Sequence, residues 1–285
     1  MRGKDTLCAC RPFAVNKGGV CVMADCSKMK AVHDEMVTAA ARASLALDVY
    51  DLYDKDKSPG WQSPWGPPSG YTLLSNQLGE LRQMFPGWKD ATIQQFIAPD
   101  GSDYRAAIYR GKDGSLVLAF RGTTSLKDWE VNNENARQGK ATDYFSKAEI
   151  LGRELKKYAD LHGLKMEITG HSLGGGMAIA ASATSGAPAI VFNPETLSQG
   201  VLQGRGDLSR AKDLVTAYTT PLEPLTAAQA AFKVPAPGRH VELPDWPNEP
   251  GPYSINRHRM AGVRGALGNQ LQLTERALRD GHCPR

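Results

Sequence analysis

A chain of 285 residues with 41% hydrophobic and 22% charged side chains can bury one substantial core, or one core with a small appendage. A net charge of +4, with no concentrated Lys/Arg run interleaved with aromatics, gives nucleic-acid binding no support, although a slightly basic surface suits anionic membranes. No run of about 18 apolar residues occurs, so a transmembrane helix is not expected.

Residues 1–28 read as an irregular Cys- and Gly-containing arm, followed by one domain over 29–285. Four of the five cysteines fall in the arm: Cys8, Cys10, Cys21 and Cys26. Their Cys-x-Cys…Cys-x4-Cys spacing is not a standard zinc pattern, and disulfides, free thiols and a metal knot all stay open. Cys283 reads as a free thiol in a frayed tail. The first 28 residues hold no continuous apolar segment of signal-peptide length. The expectation is a soluble chain, exported, if at all, by a route that reads no cleaved signal.

Apolar and Ala positions recur at helical spacing over 29–54, predicting a helix. Lys57–Gly70, with four prolines plus Trp61 and Trp65, reads as a loop. Thr92–Ala98 and Tyr104–Arg110 alternate around Pro99-Asp100-Gly101 and are expected to form a hairpin. Ser115–Phe120 reads as a buried strand and Asp143–Gly163 as an amphipathic helix. Met166–Thr169 is a strand, Met177–Ala183 a small-residue helix, and Ala189–Phe192, Leu214–Thr219 and Arg239–Leu243 are further strands. Pro221–Pro237 and Pro244–Pro252 read as loops. Strands alternating with helices predict an α/β fold with a mostly parallel central sheet flanked by helices.

Between the Met166 strand and its helix lies Gly170-His171-Ser172-Leu173-Gly174. A Gly-x-Ser-x-Gly in that setting is a nucleophile elbow, whose glycines let a strained serine rise clear of the sheet. The following helix aims its N-terminus at the site where negative charge develops. A serine nucleophile needs a base, an acid and oxyanion donors. Of the six histidines, His171 is directed away from the serine hydroxyl and reads as packing. His33 and His162 lie on upstream helices and His282 lies in the tail. His240 opens a strand, whereas His258 sits at a loop-to-helix junction after the nucleophile and is preferred as base. The acid should follow a strand beyond the elbow. Glu223, just past Leu214–Thr219 and between prolines, is the choice, with Asp207 and Asp245 in reserve.

Leu116–Asn132, LVLAFRGTTSLKDWEVN, resembles the strand–Arg-Gly-Thr/Ser–Trp region of the class 3 (fungal-type) lipases, and GHSLGGGMA resembles their elbow. The resemblance covers about Met29 to Gly265 and implies an α/β-hydrolase fold. It further implies Ser172 as nucleophile, Thr123 and Leu173 as oxyanion donors, and Ser125–Val131 with Trp129 as a lid. His258 in His-Arg-Met resembles the family's terminal histidine. The family usually has Asp-Pro where this chain has Glu223-Pro224.

The function implied is hydrolysis of lipid carboxylic esters, as a lipase or phospholipase A, through an acyl-enzyme on Ser172, with no metal or other cofactor. An acyltransferase or thioesterase on the same triad, or a non-catalytic lipid- or partner-binding relative, are the alternatives. The chain is also similar to antibacterial lipase effectors delivered by type VI secretion. That likeness implies phospholipid substrates at a membrane in a target cell's periplasm and a cognate immunity protein as partner.

Overall fold

The computed structural model describes residues 14–17, 20–23, 26–52, 67–123, 142–244 and 251–280. Strands β1 (Ala14–Lys17) and β2 (Val20–Met23) pair antiparallel, so the arm expected to be irregular contains a small two-stranded sheet. Helix α1 (Cys26–Asp51) starts within that arm, and Cys26 is disulfide-bonded. Cys8, Cys10, Cys283, Trp61 and Trp65 lie outside the described residues.

The rest is built on seven strands: β3 (Tyr71–Leu73), β4 (Ala106–Gly111), β5 (Leu116–Phe120), β6 (Met166–His171), β7 (Ala189–Phe192), β8 (Val215–Thr219) and β9 (Arg239–Glu242). They lie side by side in chain order. The first two pairings are antiparallel and the five strands from β5 to β9 run parallel. A parallel sheet needs cover on both faces, which is why β5 reads as an unbroken apolar run with every residue buried. Its residues still divide by the period of two. Leu116, Leu118 and Phe120 join one core cluster, while Val117 and Ala119 join another on the opposite face.

The first face is covered by α2 (Leu78–Met84), α3 (Asp90–Ile97), α4 (Asp143–Leu161) and α5 (Leu173–Ser185). On the other face lie α1 and the C-terminal α9 (Met260–Asp280), with Met36, Ala39, Val263 and Leu267 packed on Phe192 and Tyr218. The short α6 (Ala211–Leu214), α7 (Pro224–Ala231) and α8 (Ile255–His258) sit in the connections. Among the described residues no helix is long and apolar enough to cross a membrane.

Two sequence expectations are corrected. Thr92–Ala98 is not a strand. It belongs to α3, where Ile93 and Ile97 are one helical turn apart and both buried. Over so few residues the apolar positions satisfy the helical period as well as the alternating one, and β4 pairs instead with β3 and β5. The passage Pro221–Pro237 is not all loop, because Glu223 and Pro224 at N-cap and N1 start α7.

Candidate active site

The elbow is formed where β6 ends against β5. Register places Phe120 beside Gly170, so the two residues after each strand emerge at the same edge of the sheet. Ser172 adopts φ 57° and ψ −126°, a conformation that costs a non-glycine residue about 1–3 kcal/mol and persists only when its neighbours enforce it. They do so through the main chain. Ser172 N–H donates to the Phe192 carbonyl at 3.1 Å, and its own carbonyl accepts from Gly176 at 3.1 Å and Glu195 at 2.9 Å. The flanking glycines are required by approach distance. A Cβ on Gly170 would lie 2.2 Å from the Gly174 carbonyl oxygen, and one on Gly174 would lie 2.3 Å from that of Phe120. The helix expected from Met177 therefore begins at Leu173, with Gly174 and Gly175 packed where a Cβ would collide.

Three residues distant in sequence meet at this edge. His258, the last residue of α8, places Nε2 2.9 Å from Ser172 Oγ and Nδ1 2.8 Å from Glu223 Oε2. Glu223 is fully buried, and its carboxylate also caps α7. Oε2 accepts the Leu225 N–H at 2.9 Å and Oε1 accepts the Thr226 N–H. Because both oxygens already accept, the His258 ring must donate from Nδ1. That leaves Nε2 free to accept the serine proton.

The base and acid segments are also tied to each other. Arg257, 2% exposed, donates from Nη1 to the Pro221 carbonyl at 2.7 Å and from Nε to that of Gly251 at 3.2 Å. Thr220 Oγ1 donates to the Arg257 carbonyl at 2.8 Å. Asn193, past the end of β7, accepts the Thr220 N–H at 2.9 Å and donates to the His258 carbonyl at 3.0 Å. The position that singles out Glu223, just past the C-terminal end of a parallel strand, also holds for Asn193 after β7 and Thr220 after β8, which sequence reasoning missed.

Thr123 stands three residues beyond β5. Its Oγ1 is buried and, among the described residues, makes no hydrogen bond. Leu173 is the first residue of α5, where a backbone N–H has no intrahelical acceptor. Trp129 and the reserve acid Asp245 lie outside the described residues. Asp207 is exposed and caps the turn at Leu208–Arg210, accepting from Ser209 N at 2.9 Å. The exposed His240 is held at the Ala236 carbonyl, and His33 contacts Thr274 on α9. Neither reaches Ser172.

Two buried titratable groups flank the elbow. His171 is not merely packed: Nδ1 lies 2.9 Å from Tyr50 Oη and Nε2 2.6 Å from the His258 carbonyl oxygen. Burial first, then the neighbouring His258, takes its pKa down to about 3, so the ring is neutral. Glu195 is completely buried, neither carboxyl oxygen has a hydrogen-bond partner among the described residues, and burial raises its pKa well above the usual carboxylate range. Among the described residues no group of three or more His, Cys, Asp or Glu could hold a metal ion.

The chain is 34% identical over 106 residues to an extracellular phospholipase A1 of Serratia liquefaciens, which covers 37% of this chain and 32% of that protein. It thus spans about a third of the length of the curated relative it matches. Lipase II from Rhizopus niveus aligns over 76% of this chain and 82% of its own, with a TM-score of 0.43 and 14% identity. The family described as phospholipase-like, with a Tle-like phospholipase domain, matches residues 41–273, most of the chain and every described residue of the Ser172–His258–Glu223 constellation. The chain belongs to that phospholipase-like family.

Proposed function

We propose that this chain cleaves a fatty-acyl ester of a glycerophospholipid through an acyl-enzyme on Ser172. The observation that carries the proposal is the continuous line Ser172 Oγ, His258 Nε2, His258 Nδ1, Glu223 Oε2, with contacts of 2.9 and 2.8 Å, in a member of a phospholipase family. His258 takes the serine proton as Oγ attacks the ester carbonyl. It then gives that proton to the departing lysophospholipid alcohol. In the second half-reaction it activates water, which releases the fatty acid and restores Ser172. Glu223 holds the ring and stabilises the imidazolium formed in each half.

Thr123 and Leu173 are the proposed oxyanion donors, each backbone N–H worth about 3 kcal/mol in a dry site. The Thr123 hydroxyl, without a hydrogen-bond partner among the described residues, supports a third donor at the same place. Trp129 is proposed as the apolar residue of a lid that opens at a lipid surface. The cellular reading is an effector delivered by a type VI system to a target cell's periplasm, neutralised in the producer by a cognate immunity protein. Its support is the family and the resemblance already described.

The test is fatty-acid release from phosphatidylglycerol/phosphatidylethanolamine vesicles and from triglyceride emulsion, by wild type and Ser172→Ala. Release from vesicles that Ser172→Ala abolishes is expected. No release from either substrate, with no labelling by a serine-directed phosphonate, sinks the proposal. For the cellular reading, periplasm-targeted wild type should arrest bacterial growth and Ser172→Ala should not.

A further inference from the structure

We propose that Tyr50 and His171 are positioning residues for the base, carrying a one-directional hydrogen-bond chain from α1 to the main-chain carbonyl of His258. The inference rests on the reading of Ser172, His258 and Glu223 as the catalytic triad.

Each bond has only one allowed direction. The His258 carbonyl can only accept, so His171 Nε2, 2.6 Å away, must carry the proton. A neutral ring protonated at Nε2 has a bare Nδ1, so the Tyr50 hydroxyl 2.9 Å away donates to it. Three layers of the fold are thereby joined: α1, which supplies Tyr50, the elbow strand β6, and the α8 segment bearing His258. The fit around Gly122 leaves no slack. A Cβ there would lie 2.3 Å from Tyr50 Oη, 2.6 Å from the His171 carbonyl and 3.2 Å from Ser172 Cβ.

This chain adds to the support that Asn193, Thr220 and Arg257 give the segment bearing the base. Helix α8 is only four residues long, and the His258 ring must meet two partners at once. Its carbonyl is gripped from one side by Asn193 and from the other by His171. The His171 ring is also centred 4.9 Å from the His258 ring. A second cation at that distance would oppose the imidazolium formed during turnover, so the position calls for a donor that stays neutral. A hydroxyl from α1 keeps His171 in the tautomer that can donate.

The test measures kcat and KM on a water-soluble short-chain ester. The enzymes are wild type, Tyr50→Phe, His171→Leu, the double variant and His171→Gln, with Ser172→Ala as reference. A small misplacement of the base costs up to about 100-fold in rate. Tyr50→Phe is expected to lower kcat about 10-fold and His171→Leu about 100-fold, each with KM unchanged. The double variant should fall no further than His171→Leu, because Tyr50 acts through His171. His171→Gln, which can still donate to the carbonyl, should recover most of the loss. Wild-type kcat in Tyr50→Phe, or losses that multiply in the double variant, overturn the proposal. Should Tyr50→Phe fail to fold, equal loss in His171→Gln and His171→Leu overturns it instead. An inactive Ser172→Ala beside an unimpaired Tyr50→Phe removes only this inference, whereas an active Ser172→Ala removes the triad reading beneath it.

Discussion

Glu223 occupies two positions at once, and two substitutions separate them. Its carboxylate receives the His258 Nδ1–H at 2.8 Å and also satisfies the Leu225 and Thr226 N–H groups at the start of α7. Glu223→Gln keeps the volume but has one acceptor oxygen for three donors. If that oxygen stays with the helix, the amide NH2 faces Nδ1, which must then lose its proton, and the ring turns its Nε2–H toward Ser172 in the wrong tautomer. Loss of the correct tautomer lowers kcat about 10⁴-fold in triad enzymes, equivalent to about 5.4 kcal/mol in the barrier. The orphaned cap donor costs about 1 kcal/mol of stability, or about 2–4 °C in Tm for a domain of this size. Glu223→Asp has the opposite profile. Aspartate caps helices as well as any residue, but its carboxylate is one bond, about 1.5 Å, shorter and no longer reaches Nδ1. Tm should therefore stay close to wild type while kcat falls. Steady-state hydrolysis of a soluble ester, with thermal unfolding of the same samples, reads both effects. More than a tenth of wild-type kcat in Glu223→Gln would refute the reasoning, as would Glu223→Asp losing stability and activity together.

Glu195 is held protonated by burial in the fold, whereas the unfolded chain releases that proton above the ordinary carboxylate pKa of 4.5. The fold therefore binds more protons than the unfolded state as pH rises past 4.5. Stability from this group is full below that value and is lost by up to about 1.4 kcal/mol per pH unit until the raised pKa is passed. Glu195→Gln cannot ionise, so its Tm relative to wild type should be distinctly higher at pH 8 than at pH 4.5; an equal difference at both values contradicts this account. Gly174→Ala drives a methyl to 2.3 Å from the Phe120 carbonyl oxygen. Overpacking against fixed backbone should cost about 1–3 kcal/mol and lower kcat by shifting Ser172, measured by denaturant unfolding and ester turnover. A variant as stable and active as wild type would show that the elbow has slack the distances deny.

Much of this protein follows from local pattern. The short unbroken apolar runs at Leu116–Phe120 and Ala189–Phe192, bounded by turn residues and alternating with helical segments, read as strands covered on both faces, so a parallel sheet with helices on each side was legible from sequence. The Gly-x-Ser-x-Gly was legible for the same kind of reason: its glycines sit where a Cβ would strike the Gly174 or Phe120 carbonyl, a constraint set within a few residues and one neighbouring strand. Where a short window fits two periods the pattern fails, and Ile93 and Ile97 were placed on a strand although they bury one helical turn apart. Distant partners were beyond local pattern altogether. Glu223 and Asp207 both follow the elbow, and chain order does not measure distance. Only the fold brings one of them to 2.8 Å from His258 and turns the other onto its own turn. Tyr50 is 121 residues from His171 and Asn193 is 65 from His258, and no spacing rule connects them. Sequence by itself determined the strands, the elbow and the residue types that can do the chemistry, because those depend on neighbours along the chain. Sequence position put His258 and Glu223 first among the candidate base and acid, but only the tertiary structure decided that these two meet and which groups support them, because hydrogen bonds form only between atoms the packed sheet holds within about 3 Å.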